Sequence, residues 1–175
     1  DNSRWSFPIM RRQRDEITVR DNTRDFVVDV DTFMTTEQNY KTNKTLYRRG
    51  YMLRGAPGTG KTTMIEYVAA KYNMFIYMIN LISPDLSDAN IINLISQVPP
   101  RSIIVFEEID RQLETLRTTN NNFISEGGIL TAIDGPSRLS NGTIVIMTSN
   151  NAFNMGEEFS NTLIRPGRID TTFNF

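Results

Sequence analysis

The segment Gly55-Ala56-Pro57-Gly58-Thr59-Gly60-Lys61-Thr62 fits the spacing GxxxxGK[ST] at every fixed position. Nothing else in the chain constrains the fold as tightly, because this spacing works only where a buried strand enters a tight turn and a helix leaves it. Both flanks comply. Tyr51-Met52-Leu53 is a short apolar run on the entering side, and Met64, Ile65, Val68, Ala69 and Tyr72 recur at helical spacing on the leaving side. In such a turn the glycines let the backbone curl with its N–H groups inward around a phosphate. Lys61 then reaches the terminal phosphates as a point charge, and the Thr62 hydroxyl ligates Mg²⁺. The helix running through Thr62 and Thr63 aims its positive end at the same anion. A chance match in a chain of this length has a probability of roughly one per cent or less at average composition. The reading is a site for a nucleoside triphosphate, cradled by Gly55 to Thr63.

The rest of the chain repeats the same alternation. Residues 51–54, 74–79, 102–107 and 143–149 read as buried strands, with a fifth begun at 171–175. Ser102-Ile103-Ile104-Val105-Phe106 and Thr143-Ile144-Val145-Ile146-Met147 are continuous apolar runs, as parallel strands covered on both faces require. Helical patterns fall at 61–72, 88–97 and 126–134, and the polar run 118–123 reads as a loop. Strands alternating with helices make an α/β sandwich. Residues 1–48 are less patterned; Phe26-Val27-Val28 and Val30 suggest a short packed element leading into the core.

Composition narrows the chemistry. The 175 residues suffice for one ordinary domain with its own core. A net charge of −1 gives no bulk electrostatic case for nucleic acid or an anionic membrane. Cysteine and histidine are both absent, so disulfides, thiolate metal sites, histidine bases and histidine ligands are all excluded. No apolar stretch approaches the ~20 residues of a membrane span. Arg4, Arg11, Arg12 and Arg14 near the start are interspersed with Asp15, Glu16 and Asp21, unlike an acid-poor transit peptide. The chain does not begin with Met, which suggests an excised domain.

Hydrolysis needs more than a phosphate cradle: it needs an acid for the metal shell and a residue to orient water. Ile103-Ile104-Val105-Phe106-Glu107-Glu108 supplies both at the C-terminal end of a strand, where ligands bind in open α/β sheets. Glu107 takes the metal role and Glu108 the polarisation of water. The later strand ends in Thr148-Ser149-Asn150, and Asn150 is placed to hold the lytic water or sense the γ-phosphate. Arg165 and Arg168 flank a Pro-Gly turn, and their planar guanidinium groups suit bidentate phosphate recognition. Taken singly, paired carboxylates after a strand, a terminal amide or a surface arginine also fit a turn, a cap or a salt bridge.

These segments, with Phe106-Glu107-Glu108-Ile109-Asp110, Met147-Thr148-Ser149-Asn150 and Leu163-Ile164-Arg165-Pro166-Gly167-Arg168-Ile169-Asp170, resemble an AAA ATPase in order and spacing. Tyr40, Tyr47-Arg48-Arg49-Gly50-Tyr51-Met52-Leu53, Ile79-Asn80-Leu81, Pro100-Arg101-Ser102-Ile103-Ile104 and Leu130-Thr131-Ala132-Ile133-Asp134-Gly135 make the Bcs-type branch the nearest likeness. That branch comprises mitochondrial respiratory-complex assembly chaperones that translocate folded Rieske protein. The resemblance covers roughly residues 15–175.

The resemblance implies a P-loop NTPase three-layer sandwich with a five-stranded parallel sheet. Residues 49–175 would be the AAA large subdomain, ending before its helical lid, and 1–48 an N-terminal segment leading into it. It makes Gly55 to Thr62 the Walker A loop, Glu107 and Glu108 Walker B, and Asn150 the γ-phosphate sensor. Arg165 and Arg168 become arginine fingers inserted into a neighbour's site, and backbone around Asp29, from Val28 to Val30, contacts adenine. The implied cofactors are ATP and Mg²⁺, and the implied partners are other copies in a ring and a protein cargo. The implied location is the mitochondrial inner membrane, with the cytoplasm as the alternative. Two departures stand out. Walker B usually runs Asp then Glu, whereas here Glu107 precedes Glu108. Leu81-Ile82-Ser83-Pro84-Asp85 lacks the aromatic and glycine of a threading pore loop, which suits a ring that moves folded cargo or remodels complexes. Two other functions remain open from sequence: a nucleotide-binding assembly module with little hydrolysis, and a DNA-acting AAA protein.

Overall fold

The computed structural model describes residues 21–119, 123–134, 141–151 and 154–175. The arginines and acids of the first 20 residues, and Asn120 to Asn122 of the polar run, lie outside the described residues. Strands β1 (Arg48–Arg54), β2 (Ile76–Met78), β3 (Ile103–Phe106), β4 (Thr143–Ser149) and β5 (Thr171–Asn174) form one parallel sheet in the order β2-β3-β4-β1-β5. Helix α3 (Lys61–Lys71) connects β1 to β2 at the far edge, and α4 (Asp88–Ser96) begins the return toward β3. Right-handed crossovers that travel in opposite directions must lie on opposite faces of the sheet. Accordingly α3 packs on one face, while α4, α5 (Ile109–Thr118), α6 (Glu126–Asp134) and α7 (Glu157–Leu163) cover the other.

The strands alternate between these two cores with period two. Tyr51, Leu53, Ile103, Val105, Ile144 and Ile146 face α3; Met52, Ile104, Phe106, Val145 and Met147 face α4 to α7. Continuous apolar strands are therefore what the two covered faces demand, and full burial of each such side chain contributes roughly 1.5–3 kcal/mol.

Among the described residues three helices, α2 (Glu37–Thr42), α5 and α7, exceed the sequence expectation and one element is longer than foreseen. Helix α5 carries only Ile109, Leu113 and Leu116 as its buried apolar stripe in an otherwise polar segment. Helix α7 is short and buries Phe159 and Leu163. The packed element around Phe26 is a full helix, α1 (Asp21–Thr35), followed by α2 (Glu37–Thr42). Phe26, Val27, Val30 and Phe33 fall on one face of α1 and join the same core as α3. Phe26 meets Tyr51 edge-on, with ring centroids 5.3 Å apart, and also contacts Phe173 and Phe175. Strand β1 starts at Arg48, earlier than its apolar run, and β2 is trimmed to Ile76–Met78.

Candidate active site

The C-terminal ends of β1, β3 and β4 converge on one pocket of about 290 Å³, lined by residues of the Gly-rich loop together with Glu107, Glu108, Thr148 and Asn150. The loop turns as its composition requires. Gly58 and Gly60 adopt φ of 79° and 96°, a region costly for any residue with a Cβ, and open space surrounds both. Gly60 is the N-cap of α3 and supplies no side-chain cap, so the first amides of that helix are not capped by it. An anion seated against those amides is the favourable complement.

Lys61 is almost wholly buried, and its Nζ donates to the carbonyls of Gly55 (2.5 Å) and Ala56 (3.0 Å). Burial lowers its pKa, and the charges of Asp110 and Glu108 oppose that shift. Thr59 closes the loop through its hydroxyl, which donates to the Ala56 carbonyl at 2.8 Å. Pro57 and Thr63 complete the rim.

Each acid meets a polar partner from another element. The Thr62 hydroxyl donates to Glu107 Oε1 at 3.0 Å, which sets two hard oxygen donors side by side beneath the loop. That donor set fits Mg²⁺, which takes one or two protein oxygens and completes its shell with phosphate and water. Among the described residues there is no cluster of three or more acids that forms a cation cage of its own. Asn150 Nδ2 donates to Glu108 Oε1 at 2.8 Å, so the amide orients the very carboxylate assigned to water. Glu108 itself has φ 47° and ψ 50°, a left-handed conformation that costs a non-glycine residue on the order of 1–3 kcal/mol. Its N–H donates to Thr148 Oγ1 at 2.9 Å, which helps to hold the strained backbone. Thr148, which the sequence offers only as part of the polar end of β4, thus joins the site two residues before Asn150.

The remaining candidates lie elsewhere. Arg168 is clamped by Asp134, to which Nε donates at 2.6 Å and Nη2 also donates, while Nη1 donates to the Thr162 carbonyl at 2.7 Å. Arg165 is exposed and donates from Nε to the Asn161 carbonyl at 3.3 Å. Their turn packs against Gly50, five strand residues before Gly55, or roughly 17 Å along β1. Neither arginine lines the pocket of its own chain. Asp29 is not brought to the pocket either. It sits inside α1, where Arg49 Nη2 donates to it at 2.9 Å and the Tyr51 hydroxyl at 2.8 Å, both well below the loop on β1. Val28 to Val30 lie within α1, where backbone N–H and C=O groups are engaged in the helix, and they do not line the pocket.

Parallel sheet, strand–loop–helix and paired acids together define a P-loop ATPase domain. Residues 51–175 match the model of the ATPase family associated with various cellular activities, and the chain belongs to this AAA family. It is 44% identical over 142 residues to an uncharacterized protein of Acanthamoeba polyphaga mimivirus, covering 80% of this chain and 45% of that protein. It is 33% identical to the probable mitochondrial chaperone BCS1-A of Dictyostelium discoideum, over 95% of this chain and 41% of that protein. The mitochondrial chaperone BCS1 of Homo sapiens is 29% identical, again over 95% of this chain and 41% of its own length. The chain thus spans less than half the length of these relatives. No helix among the described residues is long and apolar enough to cross a membrane.

Proposed function

We propose that this domain binds Mg-ATP and hydrolyses it as one unit of a ring that remodels or translocates protein. One observation carries the reading: Lys61, the Thr62–Glu107 pair and the Glu108–Asn150 pair meet in a single pocket, while Arg165 and Arg168 do not line it and their turn packs against Gly50, lower on β1. A site that carries Lys61 but no arginine among its described lining residues is, in this reading, half of a shared site. The turn of a neighbouring copy supplies the other half.

In this reading Thr62 and Glu107 would hold the Mg²⁺, which neutralises charge on the β- and γ-phosphates when bound. Lys61 exchanges its two carbonyl partners for phosphate oxygens. Glu108, aimed by Asn150, accepts hydrogen-bonding from the attacking water and draws off its proton. Arg168 leaves Asp134 for the neighbour's γ-phosphate, a contribution worth about 10³–10⁵ in rate in related chemistries. The likeness to BCS1 chaperones supports a protein cargo and a mitochondrial location.

Phosphate release per chain should rise with protein concentration and vanish in Lys61→Ala, Glu108→Gln and Arg168→Ala, with ATP binding retained in the last two. Turnover that ignores both concentration and Arg168 would refute the shared site. A second reading, nucleotide binding with little hydrolysis, draws on the longer Glu107 that Thr62 engages directly. Tight ATP binding with no phosphate release at any concentration would favour it.

A further inference from the structure

Gln112 lies on the first turns of α5, where its backbone N–H donates to the Glu108 carbonyl at 3.0 Å. Its side chain folds back over the start of the helix and uses both ends of its amide. Nε2 donates to the Glu107 carbonyl at 2.5 Å, and Oε1 accepts the Leu81 N–H at 2.6 Å. The peptide group joining Glu107 to Glu108 is therefore gripped from two sides, its carbonyl by Gln112 and its N–H by Thr148. That peptide is the backbone link between the metal-shell acid and the water-orienting acid.

The far end of the amide reaches the loop after β2. Leu81 is buried at 1% exposure and roots the loop, while the next side chain, Ile82, stands 40% exposed. The loop is a compact turn: the Ile82 N–H donates to Asn80 Oδ1 at 3.2 Å and the Ser83 N–H to the Asn80 carbonyl at 3.3 Å. A displacement at Leu81 thus carries Ile82 with it. A second cleft, of about 310 Å³, is lined by Asn80 and Ile82 on one side and by Glu107, Glu108 and Gln112 on the other.

We propose that Gln112 is a positioning residue that couples this loop to the pair of acids. Resting on the reading of a Mg-ATP site, the coupling works as follows. When Glu108, held by Asn150 through Oε1, takes up the attacking water, the 107–108 peptide tilts, and the planar amide of Gln112 transmits the tilt to the Leu81 N–H. The loop carrying Ile82 then changes position with the nucleotide. A cap that merely satisfied two backbone groups would add stability but give no response to nucleotide.

Hydrogen exchange over residues 79–86, with and without saturating Mg-AMP-PNP, separates these roles without requiring turnover. In the wild-type ring the nucleotide should change exchange at Leu81 and Ile82 by about threefold or more, the scale on which local opening equilibria respond to a single hydrogen bond. Gln112→Leu should abolish that change and lower kcat about tenfold with KM for ATP little altered. Gln112→Glu retains an acceptor for Leu81 but loses the donor to Glu107, so it should keep the basal protection of Leu81 and still lose the nucleotide response. A wild-type response in either variant, or a silent loop in a wild type that turns over ATP, overturns the coupling. A loop that responds and needs Gln112 in a protein that releases no phosphate supports the coupling and refutes the hydrolysis reading instead.

Discussion

Gly50→Ala tests how rigidly β1 holds the arginine turn. A Cβ at this position would lie 1.8 Å from the Arg168 carbonyl oxygen, 2.8 Å from its carbon and 2.9 Å from Ile169 Cα, all backbone atoms with no rotamer to yield. Reaching ordinary contact at 3.4 Å requires the turn to retreat by about 1.6 Å. That retreat breaks two hydrogen bonds: Gly50 N–H to Asp170 Oδ2 at 2.8 Å and Asp170 N–H to the Gly50 carbonyl at 2.9 Å. The charge-assisted bond is worth about 1.5–3 kcal/mol and the neutral one about 1 kcal/mol. The lower chain entropy of alanine in the unfolded state offsets roughly 0.4–1 kcal/mol. The net cost is about 2.5 kcal/mol, or roughly 5–10 °C in Tm for a domain of this size. Urea and thermal denaturation of purified protein measure it directly. Because Gly50 does not line the pocket, ATP affinity should survive, while the proposed shared site requires turnover to fall with the displaced Arg168. A loss under about 1 kcal/mol would show that the turn shifts freely and that the close approach constrains nothing.

Thr148→Val keeps the shape of a buried side chain but strands the Glu108 N–H; it should cost about 1–3 kcal/mol and depress kcat more than ATP affinity, and unchanged kcat would remove Thr148 from the site. Phe26→Ala should cost about 3–5 kcal/mol in a single cooperative transition, since α1 shares the core with the sheet; a separate early transition would make the N-terminal helix an independent unit. The hydrogen bond from Arg168, with neighbouring positive charge, holds the Asp134 carboxyl below its ordinary value of 3.8. A depressed folded-state pKa stabilises above the unfolded value and loses that effect as pH falls through the folded one. The difference in stability between wild type and Asp134→Asn should therefore stay level from neutral pH to about 5 and close only below about 4. Melts that show the gap closing near neutrality would point to another titrating group.

The phosphate cradle, β4 and α6 were legible in the chain because local rules dictate them. The Gly-rich spacing permits one kind of turn, and β-branched runs such as Thr143–Ser149 suit only a strand covered twice. Helix α5 was not legible, because its three buried residues are diluted among charges and acquire meaning only once the sheet supplies a surface for them. The pairing of acids was legible only in part. Adjacent Glu107 and Glu108 pointed to a site, but the direction of each depends on the left-handed turn at Glu108 and on Thr62, Asn150 and Thr148 arriving from other strands and helices. Sequence by itself thus determined the Gly-rich turn between β1 and α3 that marks a P-loop domain, since that depends on contiguous residues. Only the tertiary structure decided which acid meets which partner, that Arg165 and Arg168 stand apart from their own pocket, and that Gln112 joins the acids to the loop after β2. Those are contacts between residues distant in the chain, and their geometry follows from the strand order and the hand of the crossovers.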